Sequence, residues 1–204
     1  MSRFAVSTAL RRAAAAALSV AALVVVTGCA HPISITPDTP PAAKVATKID
    51  KSVAYVISPA DMALEVTSPG GGGDKVKYLP YRDLDASLYA SFSEVFKDVT
   101  KAASVDEAKA LSAKGVKLVI VPTIVTTSSS DSAFTWPPTQ FSVTLTCTAV
   151  NPQGQQVAQV SAMGNGAATF SEFKSDFSLA ARRASRAAVE GLTKALADNE
   201  ALRR

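Results

Sequence analysis

Histidine is nearly absent from this chain: His31 is the only one among 204 residues. A histidine-dependent triad or an imidazole-built zinc site would rest on that one side chain. Cysteine is scarce too, with Cys29 and Cys147 alone, and Trp136 is the single tryptophan. No G-x-S-x-G, H-E-x-x-H or EF-hand spacing occurs, and no internal repeat. The stretch "GGGGDK", Gly70 to Lys75, invites a phosphate-loop reading. A phosphate loop starting at Gly70 needs its second glycine where Lys75 stands, and Val76 follows instead of serine or threonine. The stretch reads as a flexible loop. No cofactor or metal is expected, and no catalytic residue is nominated.

Long apolar runs are also missing, except at the amino terminus. There Arg3, Arg11 and Arg12 accompany Ala13 to Val26, a 14-residue zone broken only by Ser19. Small residues follow up to Cys29. A basic zone, a short apolar zone and small residues at a cleavage point make a secretory signal peptide. As a helix the apolar zone would reach about 21 Å, short of a ~30 Å hydrocarbon core. That length argues against a spanning anchor. The ending "VTGC", Val26 to Cys29, resembles the lipobox of bacterial lipoproteins. The resemblance implies that the peptide is cut before Cys29 and that this cysteine carries lipid. Ala30, rather than aspartate, follows the cysteine, which by the same resemblance implies the outer membrane, with the domain facing the periplasm.

Removing the signal changes the charge argument. Its three arginines take the net charge from +4 to +1. A nearly neutral remainder gives no case for nucleic-acid binding. With Cys29 consumed by lipid, Cys147 has no partner within the chain.

Three regions follow: a signal peptide over 1–28, a lipidated, proline-rich tether over 29–51 and a single domain over 52–204. The tether holds Pro32, Pro37, Pro40 and Pro41, and an extended chain of that length could lift a domain roughly 60 Å. His31 would then be solvated. Within the domain, "SVAYVIS" (Ser52 to Ser58) and "VKYLPY" predict strands. Asp83 can cap a helix carrying Leu84, Leu88, Val95, Phe96 and Val99 on one face. Asp106 to Lys114 predicts a short helix stopped by Gly115. "VKLVIVPTIVTT" predicts a strand buried on both faces, with Pro122 at an edge or bulge. In "FSVTLTCTAV", Phe141, Val143, Leu145, Cys147 and Ala149 share one face, so Cys147 reads as a buried small hydrophobe. "NPQG" is a turn, and the strand after it carries Gly164 and Gly166 at a bulge or strand end. A long helix over 174–199 places Phe177, Ala180, Ala184, Ala188, Leu192 and Ala195 in a stripe suited to close approach on a sheet.

This order predicts an α+β fold: a mostly antiparallel sheet packed by two main helices. From "KGVKLVIVPTIV" through the hairpin and terminal helix, the pattern is similar to the small α/β domains of envelope lipoproteins. Examples are the curli-secretion lipoprotein and the amino-terminal domain of the Tol-system propeller protein. The resemblance implies a fold and a periplasmic setting, without site residues. Candidate contacts come from the residues themselves. Phe134 and Trp136, in a polar loop beside prolines, are candidate partner anchors, or a lid over the sheet. Arg182, Arg183 and Arg186 form a helix face that could meet anionic lipid. Asp83, Asp85, Glu172 and Asp176 read as helix-end carboxylates. The expected function is a membrane-anchored, non-catalytic binding or scaffolding domain with an envelope protein partner. The other reading is a periplasmic hydrolase or carbohydrate-binding module.

Overall fold

The computed structural model describes residues 30–39, 44–68, 74–130 and 137–204. Cys29 and the segment read as a signal peptide lie outside the described residues, as do Phe134, Trp136 and 69–73 of the glycine-rich loop.

The fold turns on a five-stranded sheet ordered β5-β2-β6-β7-β8. Its strands are β2 (Ile49–Val56), β5 (Phe96–Ala102), β6 (Val116–Ser129), β7 (Gln140–Val150) and β8 (Gln156–Ala167). The expected antiparallel character holds only for β6, β7 and β8. On the other side β2 runs parallel to both β5 and β6. The sheet is therefore mixed. The cause is connectivity: helical segments carry the chain from β2 to β5 and from β5 to β6, and crossovers of that kind return a strand in parallel. A smaller sheet joins β1 (His31–Pro32), β4 (Val76–Tyr78) and β3 (Val66–Thr67) in that order.

The helices are α1 (Pro59–Ala63), α2 (Pro80–Val95), α3 (Val105–Ala110), α4 (Phe170–Ser175), α5 (Leu179–Asp198) and α6 (Glu200–Arg203). The two main ones, α2 and α5, lie together on one sheet face. Leu84, Leu88 and Phe92 of α2 are fully buried with Leu145, Phe96 and Leu192. A buried hydroxyl pair, Thr193 Oγ1 to Ser91 Oγ at 3.0 Å, joins α5 to α2. On the opposite face α3 covers only one corner, where Ala108 meets Ala54, Val56, Val116 and Val119. Burial on both faces of β6 is confined to that corner.

Gly164 and Gly166 are not at a bulge. They sit in unbroken register with β7, opposite Val143 and Phe141. A Cβ on Gly166 would lie 2.5 Å from Ala184 N, and one on Gly164 only 2.9 Å from Ala187 C. The glycines and the Ala180–Ala184–Ala188 stripe together let α5 rest its backbone on the strand. Gly115 ends the α3 region with φ of 96°, and Gly154 ends the "NPQG" turn with φ of 84°. Both are left-handed positions that favour glycine. Pro122 lies just beyond Tyr55↔Ile120, the last residue pair between β2 and β6, so no β2 strand partner requires an N–H from it.

Three helical expectations change. The first main helix starts at Pro80, with Leu79 as its cap residue, and Asp83 falls in its first turn. It ends at Val95, so Phe96 and Val99 belong to β5. The expected terminal helix is interrupted around Asp176, between α4 and α5.

The tether does not hang free. Ile35 is fully buried, and its N–H donates to Asp83 Oδ2 at 3.0 Å. Farther on, Val45 N–H donates to Glu94 Oε1 at 3.0 Å. Asp83 and Glu94 stand near opposite ends of α2, so the two described parts of the segment are each fastened to that helix. The folded unit thus includes 30–39 and 44–51, which the sequence reading assigned to a tether.

Candidate functional site

The ionisable groups with large shifts are built for structure. Tyr55, on β2, is 2 % exposed and donates through Oη to Asp85 Oδ1 at 2.9 Å. Asp85 Oδ2 holds Lys101 Nζ at 2.6 Å. Burial, then the bond and charge of Asp85, push the Tyr55 phenol well above its ordinary pKa. The chain Tyr55–Asp85–Lys101 therefore ties β2, α2 and β5 together with its phenol kept protonated. Asp85 is thus a cross-link and not a helix cap.

Cys147 is 1 % exposed on the core face of β7, as its strand pattern predicted. Burial pushes its thiol up to about 12. A nucleophilic cysteine requires the opposite shift. Glu172 moves the other way, to about 2, through its bond to Arg183 and then through the Thr169 backbone N–H. It completes a capping box with Thr169 at the start of α4. A general acid would need a raised value. Among the described residues, no group of three histidine, cysteine, aspartate or glutamate side chains could hold a metal ion.

The three arginines of α5 carry carboxylate partners from their own chain. Arg182 pairs with Asp176 at 2.6 Å and contacts Ser178 Oγ. Asp38 Oδ1 also lies 2.8 Å from Arg182 Nε, as an ion pair without the alignment of a hydrogen bond. Arg183 bonds Glu172 at 3.0 Å and the Ala167 carbonyl at 2.6 Å. Arg186 pairs with Glu190 one turn on, at 3.1 Å. This face is balanced in charge, which weighs against the anionic contact expected of it.

His31 is half-buried and packed, where the sequence predicted a fully solvated side chain. Its backbone N–H donates to Lys75 O at 2.7 Å, and its ring stacks on Phe177 with centroids 4.3 Å apart. Phe177 meets Phe173 edge-on, and Lys174 Nζ lies 5.9 Å above the Phe177 ring. The alternation of His31, Ile33 and Ile35 was the sequence signal for this contact.

The two edges of the main sheet differ. Edge strand β5, "FKDVTKA", displays Lys97, Asp98 and Lys101. Edge strand β8, "QVAQVSAMGNGA", has 12 residues with neither charge nor proline. Among the described residues, its free side is met by the Arg183 side chain, at Ala167, and by no neighbouring strand. The sheet face beside it is equally uncharged. It includes the cross-strand rows Val125–Thr144–Met163 and Thr127–Ser142–Asn165, with Val125 54 % and Met163 62 % exposed. A shallow groove of about 310 Å³ touches the second row. Sequence reasoning missed this edge because exposure of a strand's flank depends on sheet order. The lack of charge in β8 was legible.

No family model matches this sequence, and no curated protein matches it. Among solved structures, the chain is similar to protein XCC0632 from Xanthomonas campestris, of the domain-of-unknown-function family DUF330. The identity is 11 %, over 83 % of this chain and 92 % of that one, with a TM-score of 0.48.

Proposed function

We propose that this protein is an outer-membrane lipoprotein, anchored through Cys29, whose periplasmic domain binds an envelope protein by adding one of its strands to β8. The observation that carries the reading is the contrast between the two sheet edges. Unpaired strand edges invite another chain, and folded proteins commonly block them with charge, proline or brevity. β5 is blocked by charge, whereas β8 is long and uncharged. Strand addition draws affinity from main-chain hydrogen bonds and specificity from alternate side chains. The uncharged rows beside β8 supply such neighbours. Support for a non-catalytic role comes from the shifted groups: a tyrosine and a cysteine held protonated and a glutamate held ionised.

A photo-crosslinking residue at Ser161 in β8 and at Asp98 in β5 tests this in intact cells. A protein adduct is expected from position 161, none from 98, and Met163→Lys should abolish it. Adducts of equal yield from both edges would overturn the reading, as would none at all. An adduct of twice the chain mass would replace the envelope partner with a second copy. The anchor is tested separately. Cys29→Ser should leave an unprocessed precursor that takes up no labelled fatty acid, and normal uptake would defeat that part.

A further inference from the structure

We infer that the end of the domain carrying α4 and the His31–Phe177 stack lies directly on the lipid leaflet, with Phe170 entering the interface. The inference rests on the reading of Cys29 as the lipid-bearing residue.

The argument is one of chain length. Two residue steps separate Cys29 from His31, and a fully extended chain covers at most ~3.6 Å per residue. The backbone of His31 is therefore within about 7 Å of the acylated cysteine. His31 is fixed to the folded domain through Lys75 O and the Phe177 ring. There is no slack between anchor and domain. The interfacial zone of one leaflet is itself about 5–8 Å deep. A domain held that closely has its nearest surface among the headgroups.

That surface has a suitable composition. Phe170 is 55 % exposed, the sole exposed large hydrophobe of α4. Lys174 stands one turn later on the same side of the helix, its side chain 52 % exposed. Lys174 in turn lies over Phe177 and within 3.6 Å of Asp74, beside Lys75. Phe173, on the inner side, is fully buried and anchors α4 in the core. A phenylalanine on a short helix can enter the boundary between headgroups and acyl chains, its polar neighbours staying in water. The pairing of β1 with β4 fixes the orientation, since it joins the chain next to the anchor to the body of the fold.

The opposite end of the domain gives an internal control. The Asn151–Gln155 turn joins β7 and β8 at the end away from Gln140 and Ala167. Eleven strand residues at ~3.3 Å each place it about 35 Å from the Gln140 end.

The test uses the full-length lipidated protein in phosphatidylethanolamine–phosphatidylglycerol vesicles. Phe170→Cys and Gln153→Cys are labelled separately with an environment-sensitive fluorophore. Cys147 is buried and Cys29 is acylated, so each variant offers a single reactive thiol. Nitroxide-bearing lipid should quench the label at 170 several-fold more than the label at 153. Aqueous iodide should show the reverse order. Equal quenching at both sites would overturn the inference. Mass spectrometry of the same preparation separates the two failures. A missing lipid on Cys29 defeats the anchor reading, whereas a lipid present with a water-exposed 170 label defeats this inference alone.

Discussion

Gly164→Ala should cost far more than a methyl group normally does. The added Cβ would lie 2.9 Å from Ala187 C, and nearer still to Ala184 O and Ala188 N, where ordinary contact begins at 3.4 Å. All three obstacles are helix backbone, so no rotamer change can relieve them. Either α5 lifts off β8 or the strand bends away. A gap of 0.5–1 Å already forfeits a quarter to a half of each dispersion contact. Ala180, Ala184, Ala188 and Leu192 all make such contacts from the buried side of α5. Overpacking typically costs 1–3 kcal/mol, and the rigidity of the obstacle places this substitution at about 3. In a domain of roughly 175 residues that lowers Tm by roughly 6–12 °C. Two other glycines calibrate the assay. Gly115→Ala meets no atom within 4 Å but must hold φ of 96°, which costs about 1–2 kcal/mol. Gly191→Ala approaches the Ala162 Cβ at 3.3 Å, a small strain that helix propensity, about 1 kcal/mol in favour of alanine, offsets. Thermal and urea unfolding should thus rank Gly164→Ala lowest, Gly115→Ala next and Gly191→Ala near the parent. Combining Gly164→Ala with Ala184→Gly should restore nothing, because the obstacles are backbone atoms. A Gly164→Ala protein within 2 °C of the parent, or rescue by that second change, would refute the account of how α5 meets the sheet.

Cys147 should react slowly with thiol reagents in the folded protein and rapidly in denaturant, since its thiol is buried and held protonated. Cys147→Ala should lower stability by about 1 kcal/mol, read from the urea midpoint. Fast labelling of the native state would mean the β7 register is wrong. Glu172 gives a pH signature. Its carboxyl is depressed from 4.5 to about 2 in the folded state, so its contribution is complete above pH 4.5 and is lost as pH falls toward 2. Urea midpoints at pH 6, 4 and 3 should fall less steeply for Glu172→Gln than for the parent. Identical slopes would remove Glu172 from the acid response.

Parts of this fold were legible because one local pattern sufficed. Phe141, Val143, Leu145 and Cys147 alternate with small hydroxyl residues, and only a half-buried strand satisfies that alternation. Gly115 after a short helix and Gly154 closing "NPQG" identify left-handed positions without reference to the rest of the chain. Strand β5 was not legible, for a physical reason. Leu84, Leu88 and Val95 establish a helical period, and Phe96 and Val99 happen to extend it. Lys97, Asp98 and Lys101 then obscure the strand signal. They are exposed because β5 is an edge, and their charge is what guards that edge. Gly164 and Gly166 show a different ambiguity. A bulge and a close backbone approach leave the same glycine in the sequence, and only the Ala180–Ala184–Ala188 stripe, read together with β8, separates the two.

The proline-rich stretch after Cys29 shows how a long-range contact escaped a local reading. Prolines there do enforce extended backbone, and β1 is extended. Extension does not imply freedom, because a strand is extended too. What decides is whether a partner strand exists, and Val76 and Lys77, the partners of His31 and Pro32, lie some 45 residues away. Ile33 and Ile35 carry the apolar surface that rewards the contact, with Ile35 fully buried. Asp83, expected to cap its own helix, instead accepts the Ile35 N–H, while the Thr36 hydroxyl donates to its carbonyl. Each of these bonds joins residues 47 or 48 positions apart. The same stretch thus changes from a spacer of tens of ångströms into a clamp that begins two residue steps after Cys29. The domain's position relative to any anchor at Cys29 follows from that clamp, and proline content alone carried no information about it.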